Sequence, residues 1–334
     1  MRVLFLIAML ALTACGGHGQ VELVGSTMGT QFSVTLPNGL GDHDALKLQK
    51  AVEAVLEDVD ETMSTYKPES MLSQFNGNPS VDWEPVEEQF CRVVENSLEI
   101  SQQTNGAFDI TIAPLVNLWG FGPGELIDEP PGDDEIELFL SGTGFENLHA
   151  DCTKPAIRKD MPDLMLDLSA IGKGYAADVV AELLQDLGFD SFLVEVGGEI
   201  RVEGLNSNNE AWAIGIEAPL PNARKPHTVV HVTDTAMATS GDYRNYFEAD
   251  GKLYSHTIDT RTGRPVTHSL ASVTVVDNDG WRADALATAL LVMGPEEGMA
   301  FAEREGIAVL MLIRTSDGIA EIESAAFAKL RGVT

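Results

Sequence analysis

Beyond residue 190 the chain stops reading as helix and starts reading as strand, and this change of period constrains its fold more than any other feature. Segments 192–196, 199–202, 212–216, 229–232 and 271–276 are short and β-rich, with Gly or Asn turns between several of them. Upstream, apolar residues recur at helical spacing: Leu46, Leu48, Val52, Val55, Leu56 and Val59 within 42–63, then Ala176, Val180, Leu183, Leu184 and Leu187 within 172–187. The pattern predicts further helices over 86–104, 282–292 and 295–304, a last strand over 307–313, and a strand pair or bent strand over 21–36. The Gly-, Pro- and acid-rich stretch 120–134 reads as a loop. Strand-rich stretches with long helices set between them predict an α+β fold rather than a doubly wound sheet. No G-x-G-x-x-G follows a strand and no G-x-x-x-x-G-K-[ST] occurs, so the Rossmann and P-loop phosphate signatures are missing.

The first residues bear on compartment. Arg2, an apolar run over 3–12 and the closing Leu12-Thr13-Ala14-Cys15 form a secretory signal too short to span a bilayer. The preferred reading is a bacterial lipoprotein box: signal peptide 1–14, a lipidated Cys15 heading a tether over 15–20, and one domain over 21–334. An ordinary signal with an incidental cysteine is the alternative. The expected location is the cell envelope, lipid-anchored and facing the periplasm, with the inner membrane the expected one. The 52 acidic and 21 basic residues give a formal charge of −31, which repels nucleic acid and anionic lipid. Cys91 and Cys152 could pair in an oxidising compartment, but no motif around them decides it.

Four clusters carry chemistry. Asp167-Leu168-Ser169-Ala170-Ile171-Gly172-Lys173-Gly174 opens the strongest helix, where free N–H groups, flanking glycines and an ammonium suit a phosphate. Alternatively Asp167 or Ser169 caps the helix and Lys173 is solvated. Asp284 and Thr288, four apart, share a helix face and offer two hard oxygens, as Mg²⁺ completed by water and phosphate requires. Alternatively Asp284 merely favours the helix dipole and Thr288 packs. His256 is the best general-base candidate, and Asp259, three residues on, is placed to orient it or to act as a turn residue. Gly106-Ala107-Phe108-Asp109 supplies an aromatic face and a carboxylate, or a hydrophobic anchor beside a solvated acid.

Taken in order, Met28-Gly29-Thr30, Ser73-Gln74-Phe75-Asn76, Gly106 to Thr111, Asp167 to Tyr175, Glu195-Val196-Gly197-Gly198-Glu199, Thr239 to Arg244, His256-Thr257-Ile258-Asp259 and Ala283 to Thr288 follow the sequence seen in one family. The chain resembles the ApbE family from about residue 21 to 311. The resemblance implies a T-fold-like α+β body of antiparallel sheet and packed helices, with a smaller subdomain and FAD in the cleft between them. It implies Mg²⁺-dependent transfer of FMN from FAD to a threonine of a target flavoprotein, with AMP released. Carried over by position, Met28, Tyr66, Ala107, Phe108, Asp109, Asp167, Lys173 and Ile258 would line the FAD site. Asp284, Thr288, the backbone oxygen of Ala170 and Ala287 would hold the metal, and His256, Asp259 and Lys173 would act in catalysis. Acceptors would be membrane redox subunits of the NqrB, NqrC or RnfG kind. One departure stands out: Thr260 occupies the place where the family commonly has Pro.

Overall fold

The structure, a computed structural model, describes residues 19–124, 127, 129–220, 225–243, 246–249 and 251–332. The expected signal peptide and Cys15 lie outside these residues.

The body is an eight-stranded sheet: Val21–Thr27, Thr30–Leu36, Phe192–Val196, Glu199–Glu203, Thr235–Gly241, Leu270–Asp277, Ala308–Thr315 and Gly318–Glu323, adjacent in that order. Spatial order follows chain order and every neighbouring pair is antiparallel. The sheet is thus a meander, the simplest outcome when successive strands pair with their nearest neighbours in sequence. Its long connections carry the helices and the site.

Period-two alternation sorts each strand between two cores. Phe192, Val194 and Val196 enter the larger core beneath the helices Asp42–Met63, Gly172–Asp186 and Gly280–Glu305, while Leu193 turns to the opposite face. Val309 and Met311 likewise face the helices, and Leu310 and Leu312 face a smaller cluster closed by the hairpin Trp212–Glu217/Pro226–Val232 and Phe327. A third apolar cluster of Leu115, Trp119, Ile136 and Ile258, joined by Phe121, Phe247 and Tyr254, stands apart from both. Trp119 ties it together by donating from Nε1 to the Gly263 carbonyl at 2.8 Å.

Cys91 and Cys152, left open by the sequence, form a disulfide with Cα atoms 5.7 Å apart. The two helices expected over 282–292 and 295–304 form one segment, Gly280–Glu305, broken at Gly294 (φ 80°, ψ −179°), which is followed by Pro295. Proline has no N–H for the helical ladder, and glycine tolerates the left-handed φ beside it. The acid-rich loop ends sooner than expected. Asp133–Leu140 is helical, and the Gly132 N–H donates to Glu135 Oε2 at 3.0 Å in its first turn.

Candidate functional site

Two helices set the chemistry, and two glycines let them meet. A β-carbon on Gly174 would lie 2.1 Å from the Gly280 carbonyl oxygen, and one on Gly280 would lie 2.6 Å from the Gly174 carbonyl oxygen. Only backbone-on-backbone contact fits there. The approach lets the Gly174 N–H donate to Asp284 Oδ2 at 3.0 Å. No side chain of its own helix caps Gly280–Glu305. Asp178 of the neighbouring helix does so instead, accepting from the N–H groups of Gly280 and Trp281, each at 2.9 Å. Burial pushes the Asp178 carboxyl up to about 6, against the pull of those two donors.

Asp284 is 2% exposed. Its Oδ2 lies 3.6 Å from Lys173 Nζ, and Glu199 Oε1 lies 3.3 Å from the same ammonium. Burial alone would lower the lysine pKa, but attraction to Asp284 and Glu199 overrides it and holds the ammonium above the usual lysine range. Glu199 bears the converse load: burial drives its carboxyl well above the ordinary carboxylate range, and Lys173 only partly opposes this. Glu199 reaches Lys173 through Gly197 and Gly198, both left-handed with φ of 63° and 105°. A β-carbon on Gly197 would crowd Thr30 Cγ2 at 2.9 Å and Lys173 Cδ at 3.0 Å. Glu199 closes the Glu195–Glu199 motif, where nothing in the local sequence assigns it a role.

These groups face a cavity of about 830 Å³. Of the residues expected to contact FAD, the cavity is lined by Tyr66, Ala107, Phe108, Asp109, Asp167, Lys173 and Ile258, and Ala170, Asp284, Thr288 and His256 also line it. It is bounded by the main sheet through Thr30, Glu199 and Thr239 and by the small cluster through Phe121 and Ile258, so it lies between body and subdomain as expected. It also continues past Gly197–Gly198 to Leu193, Ile200 and Ala213, on the sheet face opposite the helices. Tyr66 stands at the rim, 67% exposed. His256 is half-buried, its ring edge-on to Phe121 with centroids 6.2 Å apart. Thr288 Oγ1 sits 3.0 Å from Ser240 Oγ.

Three expected residues are placed otherwise. The Asp259 carboxylate is engaged by Arg261, accepting from its backbone N–H at 2.9 Å, Nε at 3.0 Å and Nη2 at 3.2 Å. Arg261 in turn reaches Glu297, which fixes Asp259 in a turn-bracing role outside the cavity lining. Ala287 is fully buried and outside the cavity lining, and as a mid-helix residue its carbonyl is committed to the helical ladder. Met28 occupies the tight turn between the first two strands at φ 48°, and its Cε packs beside Gly172 at the head of the lysine helix, adjacent to the lining but outside it.

Two more acids prove braced. Asp109 Oδ1 accepts from Thr111 N–H and Oγ1 at 2.8 and 2.7 Å, and Oδ2 from the Phe145 N–H at 2.9 Å. Burial raises its pKa while those donors counter it. Asp167 Oδ1 accepts from Ser169 N–H at 2.7 Å, which leaves the lysine helix, with Ile171 at its N-cap, without a side-chain cap. The Gly172 N–H is taken by the Leu168 carbonyl at 2.8 Å and the Gly174 N–H by Asp284 at 3.0 Å, so an anion at this end is met chiefly by the Lys173 ammonium. Thr260, the departure from the family pattern, donates its hydroxyl to the Gly106 carbonyl and so ties the His256 segment to the Ala107-Phe108 wall.

The donor set fits a hard divalent cation. Among the described residues no cluster of three or more His, Cys, Asp or Glu could form a full cage. A buried carboxylate and a hydroxyl facing a polar cavity leave positions for water and phosphate, the usual mode for Mg²⁺.

A model of the ApbE family matches residues 28–311. The chain is 44% identical over 323 residues, 96% of each sequence, to the FAD:protein FMN transferase of Vibrio cholerae. Among solved structures it superposes on the flavin transferase ApbE of Vibrio cholerae with a TM-score of 0.84 at 43% identity, covering 93% of this chain and 98% of that one. The apo flavinyl transferase ApbE of Pseudomonas stutzeri gives 0.83 at 40% identity, over 94% and 98%. The antiparallel body, the helix-borne lysine and aspartate, and these matches agree: the chain belongs to the ApbE family.

Proposed function

We propose that this chain transfers FMN from FAD to a threonine hydroxyl of a partner protein and releases AMP. The observation that carries the reading is the convergence of Lys173, Asp284, Thr288 and His256 on one cavity between the sheet and the small subdomain. The Lys173 ammonium, at the head of its helix, binds the pyrophosphate, and Ala107, Phe108 and Ile258 supply apolar walls. Mg²⁺ held by Asp284, Thr288 and the Ala170 carbonyl would supply charge neutralisation at the phosphate oxygens. The acceptor oxygen forms a bond to the phosphorus nearer riboflavin, the bond from that phosphorus to the bridging oxygen breaks, and AMP departs with that oxygen. His256 takes the hydroxyl proton, and Lys173 offsets charge on the phosphoryl oxygens.

The acceptors we propose are periplasmic flavin domains of NqrB-, NqrC- or RnfG-type subunits, met by an enzyme tethered through Cys15. The Cys91–Cys152 disulfide supports an oxidising compartment. Asp284→Ala tests the metal assignment: transfer is lost while FAD still binds, since the carboxylate acts chiefly through the cation. Wild-type rates in that variant at saturating Mg²⁺ would remove the assignment.

A further inference from the structure

Glu199 carries chemistry that the reaction above leaves unused. It is 4% exposed, lines the cavity, and its Oε2 has no hydrogen-bond partner. A buried carboxylate with an unpaired oxygen is costly to the fold, so its retention points to work rather than stability. Its Oε1 lies 3.3 Å from Lys173 Nζ, while Asp284 Oδ2 lies 3.6 Å from the same atom. One ammonium is therefore shared between two acids, one of which is the proposed metal ligand. When a cation claims Asp284, the attraction holding Lys173 on that side falls and like charge pushes it away. Among the described residues Glu199 is then the remaining carboxylate within ion-pair range, and the Gly197–Gly198 turn fixes it there.

We propose that Glu199 is a positioning residue, holding the Lys173 ammonium at the pyrophosphate subsite once a cation occupies Asp284. The inference rests on the functional reading above, because it needs FAD and a cation in this cavity. Its consequence is that Glu199 acts through Lys173 and contributes nothing of its own to FAD binding.

The test is a double-mutant cycle on the full-length protein, read by flavin fluorescence on titration with FAD in Mg²⁺, with thermal unfolding alongside. Lys173→Met weakens FAD binding. Glu199→Ala weakens it about 10-fold, while Glu199→Gln, which keeps a hydrogen-bond acceptor for the ammonium, loses less. In the Lys173→Met background, Glu199→Ala changes FAD affinity by less than about 2-fold. The unfolding temperature of Glu199→Ala stays level or rises, whereas a merely structural glutamate would lower it. Additive losses in the double mutant, or a fall in unfolding temperature that tracks the lost affinity, would overturn the inference alone. Wild-type protein that binds no FAD would overturn the proposed function and this inference together.

Discussion

Gly174→Ala tests how the fold builds the site. The added methyl would sit 2.1 Å from the Gly280 carbonyl oxygen and 2.8 Å from Asp284 Cβ. Relief requires the two helices to part by roughly 1 Å, at an overpacking cost of about 1–3 kcal/mol. Parting them also strains the Gly174 N–H to Asp284 Oδ2 bond, and a hydrogen bond to a charged partner is worth about 1.5–3 kcal/mol. The sum, about 2.5–6 kcal/mol, corresponds to a fall of about 4–9 °C in unfolding temperature for a chain of this size. Displacing Asp284 by that distance should slow transfer by about 10²-fold even where the protein stays folded. Differential scanning calorimetry and a Mg²⁺ titration of the transfer rate measure the two effects. Gly172→Ala is the stability control: its β-carbon meets only Met28 Cε at 3.4 Å, so that variant keeps its unfolding temperature. Gly174→Ala with wild-type unfolding and an unchanged Mg²⁺ response would refute the reasoning.

Two further predictions follow from the same structure. His256→Ala should slow transfer by about 10²–10⁴ with FAD affinity little changed, and its pH–rate profile should lose the ascending limb of an imidazole base. Weak FAD binding with normal turnover at saturating FAD would make His256 a binding residue. Replacing Cys91 and Cys152 by Ala opens a loop with a sequence separation of 61. In the chain-entropy account this costs about 4 kcal/mol, seen as a lower denaturant midpoint with a steeper slope as the denatured chain expands, and an unchanged midpoint would contradict it.

The main elements were legible where one signal dominated. Helical periodicity placed 42–63 and 172–187 closely, and alternation placed 192–196. Thr235–Gly241 was missed because its Ala-, Thr- and Ser-rich sequence carries little apolar alternation, yet it sits mid-sheet between two strands. Lys173 and Asp284 were legible from their helix contexts, but their meeting depends on the Gly174–Gly280 contact, which no local pattern encodes. Asp178 caps a helix begun 102 residues later, an interaction only tertiary structure reveals. For Asp259 the spacing left two roles open, and the Arg261 side chain and turn N–H two residues on show the turn-bracing one. Ala287 was carried over by position alone, and a mid-helix carbonyl is committed to the helical ladder.

Group transfer to protein is read in a single assay. The wild-type enzyme is incubated with FAD, Mg²⁺ and the soluble flavin domain of an NqrC-type subunit. In-gel flavin fluorescence is read on the acceptor band, and AMP is quantified in the same sample. Fluorescent acceptor and AMP are expected in equal amounts, with neither formed by Asp284→Ala and no label on an acceptor whose target threonine is replaced by alanine. AMP and free FMN without labelled acceptor would show a hydrolase, and intact FAD without AMP would show a flavin-binding protein; either result contradicts the account.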